Sequence, residues 1–509
     1  MIFIEKLPHH KQPYAAISIT LLGNIDRPAP SDGYSVAVWF HPGEFISGSA
    51  NDIDPFQLVF KQKIIVVTVA YRLGIFGFFT TVDGEAPGNF GLMDQAAALR
   101  WVNRNIEQFG GNKDSVCLIG HGSGAVSATL HMTAGEWSNG MFHRIIAMSG
   151  NALTEGTVQD PKRHLRTLNR VAYLFGCFRR PTDNLIACLR NVKASTLLQQ
   201  TARVTKWGPV LDAGLSNSTI SFIQEDPRAM FERGQFTQVP VLIGFTDGED
   251  ALSIAGSEID QNGIDPAHFE SMLGDTVLAE MPPTDNQSCP LDNQHIVDAV
   301  SFFYSPQPPS EDPEDLRKRY IAFMTEKHFG APSFLFAMLC SRHSPTFAYR
   351  FDLKPRSVAV TSGLPEWLGV PHRLDLAFVW GVPYWGLLSD GTPWDSADKR
   401  VSDIVMIFWA NFIKYTNPSK VGVYIRWDNF TSKSPGFLVI DRSFNMSHSA
   451  TMNYKAFEFW NEYFPKVIDV SANCCNMTDI ASTNFELCNA SILSGLLICS
   501  LITFLFKYG

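Results

Sequence analysis

The chain is 509 residues long, 45% hydrophobic and 18% charged, which gives it the apolar content of a large globular protein and excludes a disordered one. Its net charge is −9 and its pI about 5.8, and no Lys/Arg cluster with interleaved aromatic residues stands out, so no nucleic-acid partner is expected. Nine cysteines contain no C-x-x-C pair and no Cys/His grouping with zinc spacing, so neither a metal nor a cofactor is expected.

The N-terminal stretch MIFIEKLPHH lacks the basic segment and apolar core of a signal peptide. Beyond it, short β-branched and apolar runs recur at Val36–Phe40, Ile64–Ala70, Val116–Ile119, Arg144–Met148 and Val239–Ile243, with helical stretches between several of them. That alternation predicts an α/β fold with a mostly parallel sheet and crossover helices. In GLMDQAAALRWVNRNIEQFGG, Leu99, Val102, Ile106 and Phe109 share one helical face, and Gly110-Gly111 ends it. The Pro- and acid-rich segment Pro306–Asp315 reads as a surface loop, and a single domain is the expected count.

Between the run Val116–Ile119 and a small-residue helix lies GHGSGA, residues 120–125. A strand, a glycine corner and a helix make the setting of a nucleophile elbow, where G-x-S-x-G lifts a serine hydroxyl out of a strained turn. Here Gly122 occupies the central position. Ser123 is the alternative nucleophile, but successive helical side chains diverge by about 100°. Its hydroxyl is therefore expected to point away from a base aimed at position 122.

With VAVWFHPGEF, IIVVTVAYRLGIFGF, PGNFGLMDQAAALRWVNRNIEQFGGN, FHRIIAMSG, PVLIGFTDGED, LPEWLGVPHRLDLAFVWG, FWANFIKYTNPS and FEFWNEYFPK in this order, the chain resembles the cholinesterase and type-B carboxylesterase family from about Tyr34 to Lys466. The resemblance implies the α/β-hydrolase fold, a large, mostly parallel central sheet flanked by helices. Members carry a longer N-terminal region with a signal peptide. Residues 1–33 are accordingly expected to be a truncated or degenerate segment, and the domain proper to span 34–468.

Acyl transfer needs a nucleophile, a base, an orienting carboxylate and donors for the oxyanion. The resemblance implies Glu249 as the acid, His372 as the base, and Gly43, Glu44 and Ser123 as the oxyanion segment; the nucleophile position falls on Gly122. Active members have a glycine-rich run where this chain has His41-Pro42-Gly43-Glu44-Phe45. Pro42 supplies no N–H, and a carboxylate at 44 would repel an oxyanion by about 4 kcal/mol at about 4 Å with an effective dielectric of about 20. His41 and His372 then read as structural histidines, the latter in a buried pair with Glu249.

The pattern is similar to the non-catalytic branch of the family, the neuroligins, glutactin and neurotactin. It implies a catalytically inactive cell-surface or extracellular protein used in adhesion or recognition, with a homodimer as one option. A weak carboxylic ester hydrolase using Ser123, and a non-hydrolytic binder of small ligands, are the alternatives.

Cys177 and Cys188 match the family's loop disulfide, while its later disulfide falls on Ala331 and Phe457 and is absent. Cys117 reads as a small buried hydrophobe. Six N-x-S/T sequons, at Asn217, Asn286, Asn429, Asn445, Asn476 and Asn489, exceed the about two or three that so loose a motif gives by chance. Residues 469–491 read as a polar stalk carrying Cys474-Cys475. The apolar run 492–506 within the tail 492–509 makes a helix of about 22 Å, short of a hydrocarbon core of about 30 Å. That favours a GPI-attachment signal, with a short membrane anchor as the alternative.

Overall fold

The computed structural model describes residues 2–4, 19–23, 29–202, 204, 206–215, 221–281, 293–357, 360, 365–386 and 392–471. It divides into two compact units, one drawn from the chain up to Gln261 together with Ile321–Phe457, the other from Asn262–Tyr320 and the chain from Glu458.

The first unit is built on a sheet of ten strands among the described residues: β1 (Ile2–Ile4), β2 (Ile19–Leu22), β3 (Tyr34–Phe40), β4 (Ile65–Val69), β5 (Gly111–His121), β6 (Arg144–Met148), β7 (Val241–Thr246), β8 (Thr346–Phe351), β9 (Phe437–Ile440) and β10 (Asn445–Met446). Their order is β1-β2-β4-β3-β5-β6-β7-β8-β9-β10. The strands from β4 to β9 pair in parallel, and antiparallel strands close each edge. All five expected runs overlap strands. The expected N-terminal remnant contributes β1 and β2. Strands β4 and β7 are buried along their whole length, which is why they read as continuous apolar runs without alternation.

Helices flank the sheet: α1 (Phe90–Asn105), α2 (Ser123–Leu130), α3 (His164–Leu174), α4 (Thr182–Arg190), α7 (Ala331–Cys340), α8 (Leu374–Val379) and α9 (Ser396–Tyr415), with α5 (Pro266–Glu280) and α6 (Gln294–Tyr304) in the second unit. Helix α1 buries Leu99 and Val102, and a 3₁₀ turn buries Ile106 before the chain leaves through Gly110 at φ 76°. One core cluster packs Trp39, Trp380, Tyr349, Phe378 and Trp409 between the sheet and α8 and α9. Trp39 and Trp380 meet edge to face at 5.0 Å.

In the second unit, Phe269, Leu273 and Val277 of α5 and Ile296 and Val300 of α6 are buried, and the Trp460 indole donates to the Tyr304 hydroxyl at 2.8 Å. The segment expected as a loop at 306–315 stops short of that length. A helix begins at Pro313, with Glu314 and Asp315 in its first turn. Proline at a first helical position forfeits no hydrogen bond, and acidic groups there suit the helix dipole.

Candidate functional site

Strand β5 ends in a corner that only glycine can make. A Cβ on Gly120 would collide with the Gly124 carbonyl, and one on Gly124 with the Phe40 carbonyl, so both must be bare for β5, α2 and β3 to approach. Gly122 caps α2 at φ 53° and ψ −122°, donates its N–H to the Met148 carbonyl at 2.9 Å, and accepts from Val126 at 3.0 Å.

Glu249 and His372, the residues expected as acid and base, arrive on two loops zipped together. Gly248 N–H donates to the Val370 carbonyl at 3.1 Å, and Val370 N–H to the Asp247 carboxylate at 2.7 Å. This clasp holds Glu249, just beyond β7, beside His372, just before α8. His372 Nδ1 lies 2.5 Å from Glu249 Oε2. The other carboxylate oxygen accepts from the Ser149 hydroxyl at 2.6 Å and the Thr246 N–H at 2.7 Å. Burial opposes a charge on His372, but the Glu249 carboxylate and then Asp375 outweigh it and raise its pKa.

His372 aims at position 122. A Cβ on Gly122 would lie 3.4 Å from His372 Nε2 and 3.7 Å from the Pro42 ring. Glycine puts nothing there. The Ser123 hydroxyl is buried with no hydrogen-bond partner among the described residues, and the neighbouring Tyr71 phenol donates to the His41 carbonyl at 2.8 Å. Burial raises the Tyr71 pKa, so this phenol stays protonated.

Along the oxyanion segment, Gly43, Glu44 and Phe45 have φ of 129°, 55° and 60°. Glu44 and Phe45 therefore adopt a conformation that favours glycine. Glu44 is exposed, so water screens its carboxylate and the repulsion expected from the sequence shrinks accordingly. His41 is buried, stacks on Tyr71 at 4.4 Å, and has Nδ1 2.9 Å from the Pro42 carbonyl; burial lowers its pKa.

The sequence reading missed a second pair behind the first. His121 Nε2 lies 3.4 Å from Asp375 Oδ1, both fully buried, and Tyr349 donates to Asp375 at 3.1 Å. Burial and the neighbouring His372 lower the His121 pKa, and the two imidazoles meet edge to face at 4.5 Å. Both positions flank residues already singled out: His121 precedes Gly122, and Asp375 follows His372 by three. Ser149 had no such signal.

Among the other expected sites, Cys177 and Cys188 are bonded to each other. Cys117 is buried, its thiol pushed up to about 12 by burial. Asn429 and Asn445 are exposed, while Asn217, Asn286, Asn476, Asn489 and the tail lie outside the described residues. Among the described residues no group of three or more His, Cys, Asp or Glu could hold a metal ion, and no helix is long and apolar enough to cross a membrane.

An acid–base pair at the end of a parallel sheet, aimed at a strand–helix elbow, is the layout of an α/β-hydrolase, and the profile of the carboxylesterase family matches residues 20–460. The chain belongs to the carboxylesterase family. Mouse (Mus musculus) neuroligin-3 is 31% identical over 394 residues, covering 76% of this chain and 45% of its own length. Mouse acylcarnitine hydrolase is 31% identical over 391 residues, 76% of this chain and 65% of its length, and acetylcholinesterase of Bungarus fasciatus 27% over 470 residues, 88% and 72%. The chain spans about half the length of the neuroligins it matches.

Proposed function

We propose that this carboxylesterase-family chain is a cell-surface recognition protein that does not turn over esters. One observation carries the reading: His372 and Glu249 form a hydrogen-bonded pair aimed at position 122, where glycine has nothing to acylate. Losing a serine hydrolase nucleophile costs about 10⁶-fold in turnover. The likeness to neuroligin-3 supports adhesion to a cell-surface or extracellular protein as the use of the fold, with self-association as a homodimer.

On this reading residues 34–468 are the hydrolase-like domain, 469–491 a glycosylated stalk, and 492–509 a GPI signal or short anchor that ties the protein to the membrane. The test is the purified chain with p-nitrophenyl butyrate and a fluorophosphonate probe. No turnover above buffer and no adduct are expected. Turnover with an adduct on Ser123 would replace this reading with that of a weak hydrolase.

A second reading, a non-hydrolytic binder, is favoured by the His372 side chain being 27% exposed with no partner for Nε2 among the described residues. Hydrophobic esters or alcohols would then raise the melting temperature without being consumed.

A further inference from the structure

Across the chain 50 acidic residues outnumber 41 basic ones, yet residues 160–193 hold eight Lys and Arg against two Asp. The sequence hides this concentration by spacing it out. In α3 and the turn before it, Arg163, Arg166, Arg170 and Tyr173 recur at intervals of three and four on the exposed face, while Leu168, Val171 and Ala172 are buried on the other. Phe178 and Arg180 follow in the same stretch of chain and are exposed as well.

The arrangement is unfavourable by itself. Arg166 and Arg170 are like charges one turn apart, and Arg163 and Arg166 sit at the positive end of the helix dipole. Helix α3 contains no Asp or Glu. Exposed Arg228, Arg233 and Arg426 each hold a carboxylate, whereas Arg163, Arg166, Arg170 and Arg180 have no ion-pair partner among the described residues. An anion from outside the chain would satisfy all of these conditions.

Large apolar side chains adjoin the cations. Tyr173 and Phe178 are each 86% exposed. Gly176, at φ 61°, lets the chain turn at the end of α3; the Cys177 N–H donates to the Ala172 carbonyl at 2.9 Å, and the Cys177–Cys188 bond ties the following loop to α4. Phe178 and Arg180 are thus presented from a braced loop directly after the helix. A sulfated polysaccharide would use the guanidinium groups and leave both rings in water. Exposed Tyr and Phe among arginines instead have the composition of a protein interface. A disulfide of this kind persists in oxidising compartments, away from nucleic acids.

We infer that the exposed face of α3, with the disulfide loop after it, is a docking surface for an acidic segment of a partner protein that also carries apolar side chains. Carboxylates seat on the arginine row as bidentate partners, and apolar side chains cover Tyr173 and Phe178. The inference stands apart from the esterase question, so its failure leaves the reading of Gly122 untouched.

The test uses the full chain with its disulfide intact and a fluorescein-labelled peptide in which Glu-Asp pairs alternate with Leu and Phe. An all-Glu peptide, heparin oligosaccharide and phosphatidylserine vesicles serve as competitors. The mixed peptide is expected to bind at least about tenfold tighter than the all-Glu peptide, a difference of about 1.4 kcal/mol. Arg166→Glu/Arg170→Glu is expected to weaken it by about tenfold or more, with Arg166→Gln/Arg170→Gln carrying the comparison if charge reversal disturbs folding. Tyr173→Ala/Phe178→Ala is expected to abolish the preference between the peptides. Equal affinity for both peptides, tighter binding of heparin or vesicles that is indifferent to Tyr173 and Phe178, or no binding at all would overturn the inference.

Discussion

His372 presents Nε2 to the empty side-chain position of Gly122 at 3.4 Å while Glu249 holds its Nδ1 at 2.5 Å. The hydrogen bonds from Ser149 and Thr246 fix Glu249 in turn. Proton-transfer geometry is thus built from β7 to α8, and it faces a residue without a side chain. Such a pair also stabilises the fold by burying a carboxylate with its donors satisfied.

This pair has a titration signature. The His372 pKa is raised above 6.5, so its contribution to stability is fully present below about 6.5, the unfolded-state value, and is lost as pH rises through the folded-state value. NMR titration of the imidazole should give a midpoint above 6.5 in the native chain and a lower one in Glu249→Gln, where the chief raising influence is gone. Chemical denaturation should show stability falling across that window in the native chain and a flatter profile in the variant. An unchanged His372 midpoint in Glu249→Gln would contradict the pairing.

Much of this was legible in the sequence because parallel strands buried on both faces announce themselves as apolar runs, and because the corner leaves no room for a side chain at Gly120 or Gly124. Strands β8 and β9 were not read out: TFAYRF mixes an arginine into aromatics, and FLVI is only four residues long. His121 and Asp375 escaped because a buried pair between residues 254 positions apart leaves no local pattern. The backbone of Glu44 and Phe45 escaped because positive φ at non-glycine residues follows no composition rule.

The disulfide should matter to stability. Closing the loop between Cys177 and Cys188, 11 residues apart, is worth about 3 kcal/mol in the chain-entropy picture. Cys177→Ser/Cys188→Ser should lower the urea midpoint and raise the slope slightly, because the unfolded chain without the cross-link exposes more surface. Non-reducing peptide mapping of secreted protein should recover the two cysteines as one linked pair; two free thiols would contradict this.

Glycan occupancy should follow exposure at the described sequons. Asn429 accepts the Thr346 N–H through Oδ1 at 2.9 Å, which leaves its amide nitrogen for a glycan, and Asn445 sits on β10 at the edge of the sheet. Both should carry N-linked glycans in protein expressed through the secretory pathway, read as glycosidase-sensitive mass. Asn445→Gln should increase aggregation, because a bare edge strand offers unpaired backbone groups to another copy. Unoccupied sites, or an unchanged aggregation rate, would remove that role.

If His372 and Glu249 are the remainder of an esterase site, restoring a serine and the oxyanion glycines should restore chemistry, which the turnover of p-nitrophenyl acetate by Gly122→Ser and by Gly122→Ser/Pro42→Gly/Glu44→Gly reads out. Serine at 122 must adopt φ near 53°, a strain of about 1–3 kcal/mol, and it would meet His372 but also the Pro42 ring. Each missing oxyanion donor costs a further about 2.7–4 kcal/mol of barrier. The single variant should therefore stay near background, whereas the triple variant should show measurable turnover that His372→Gln abolishes. Robust hydrolysis by the single variant would show that the oxyanion segment is intact, and a folded triple variant with none would show that His372 and Glu249 are not placed to activate a serine.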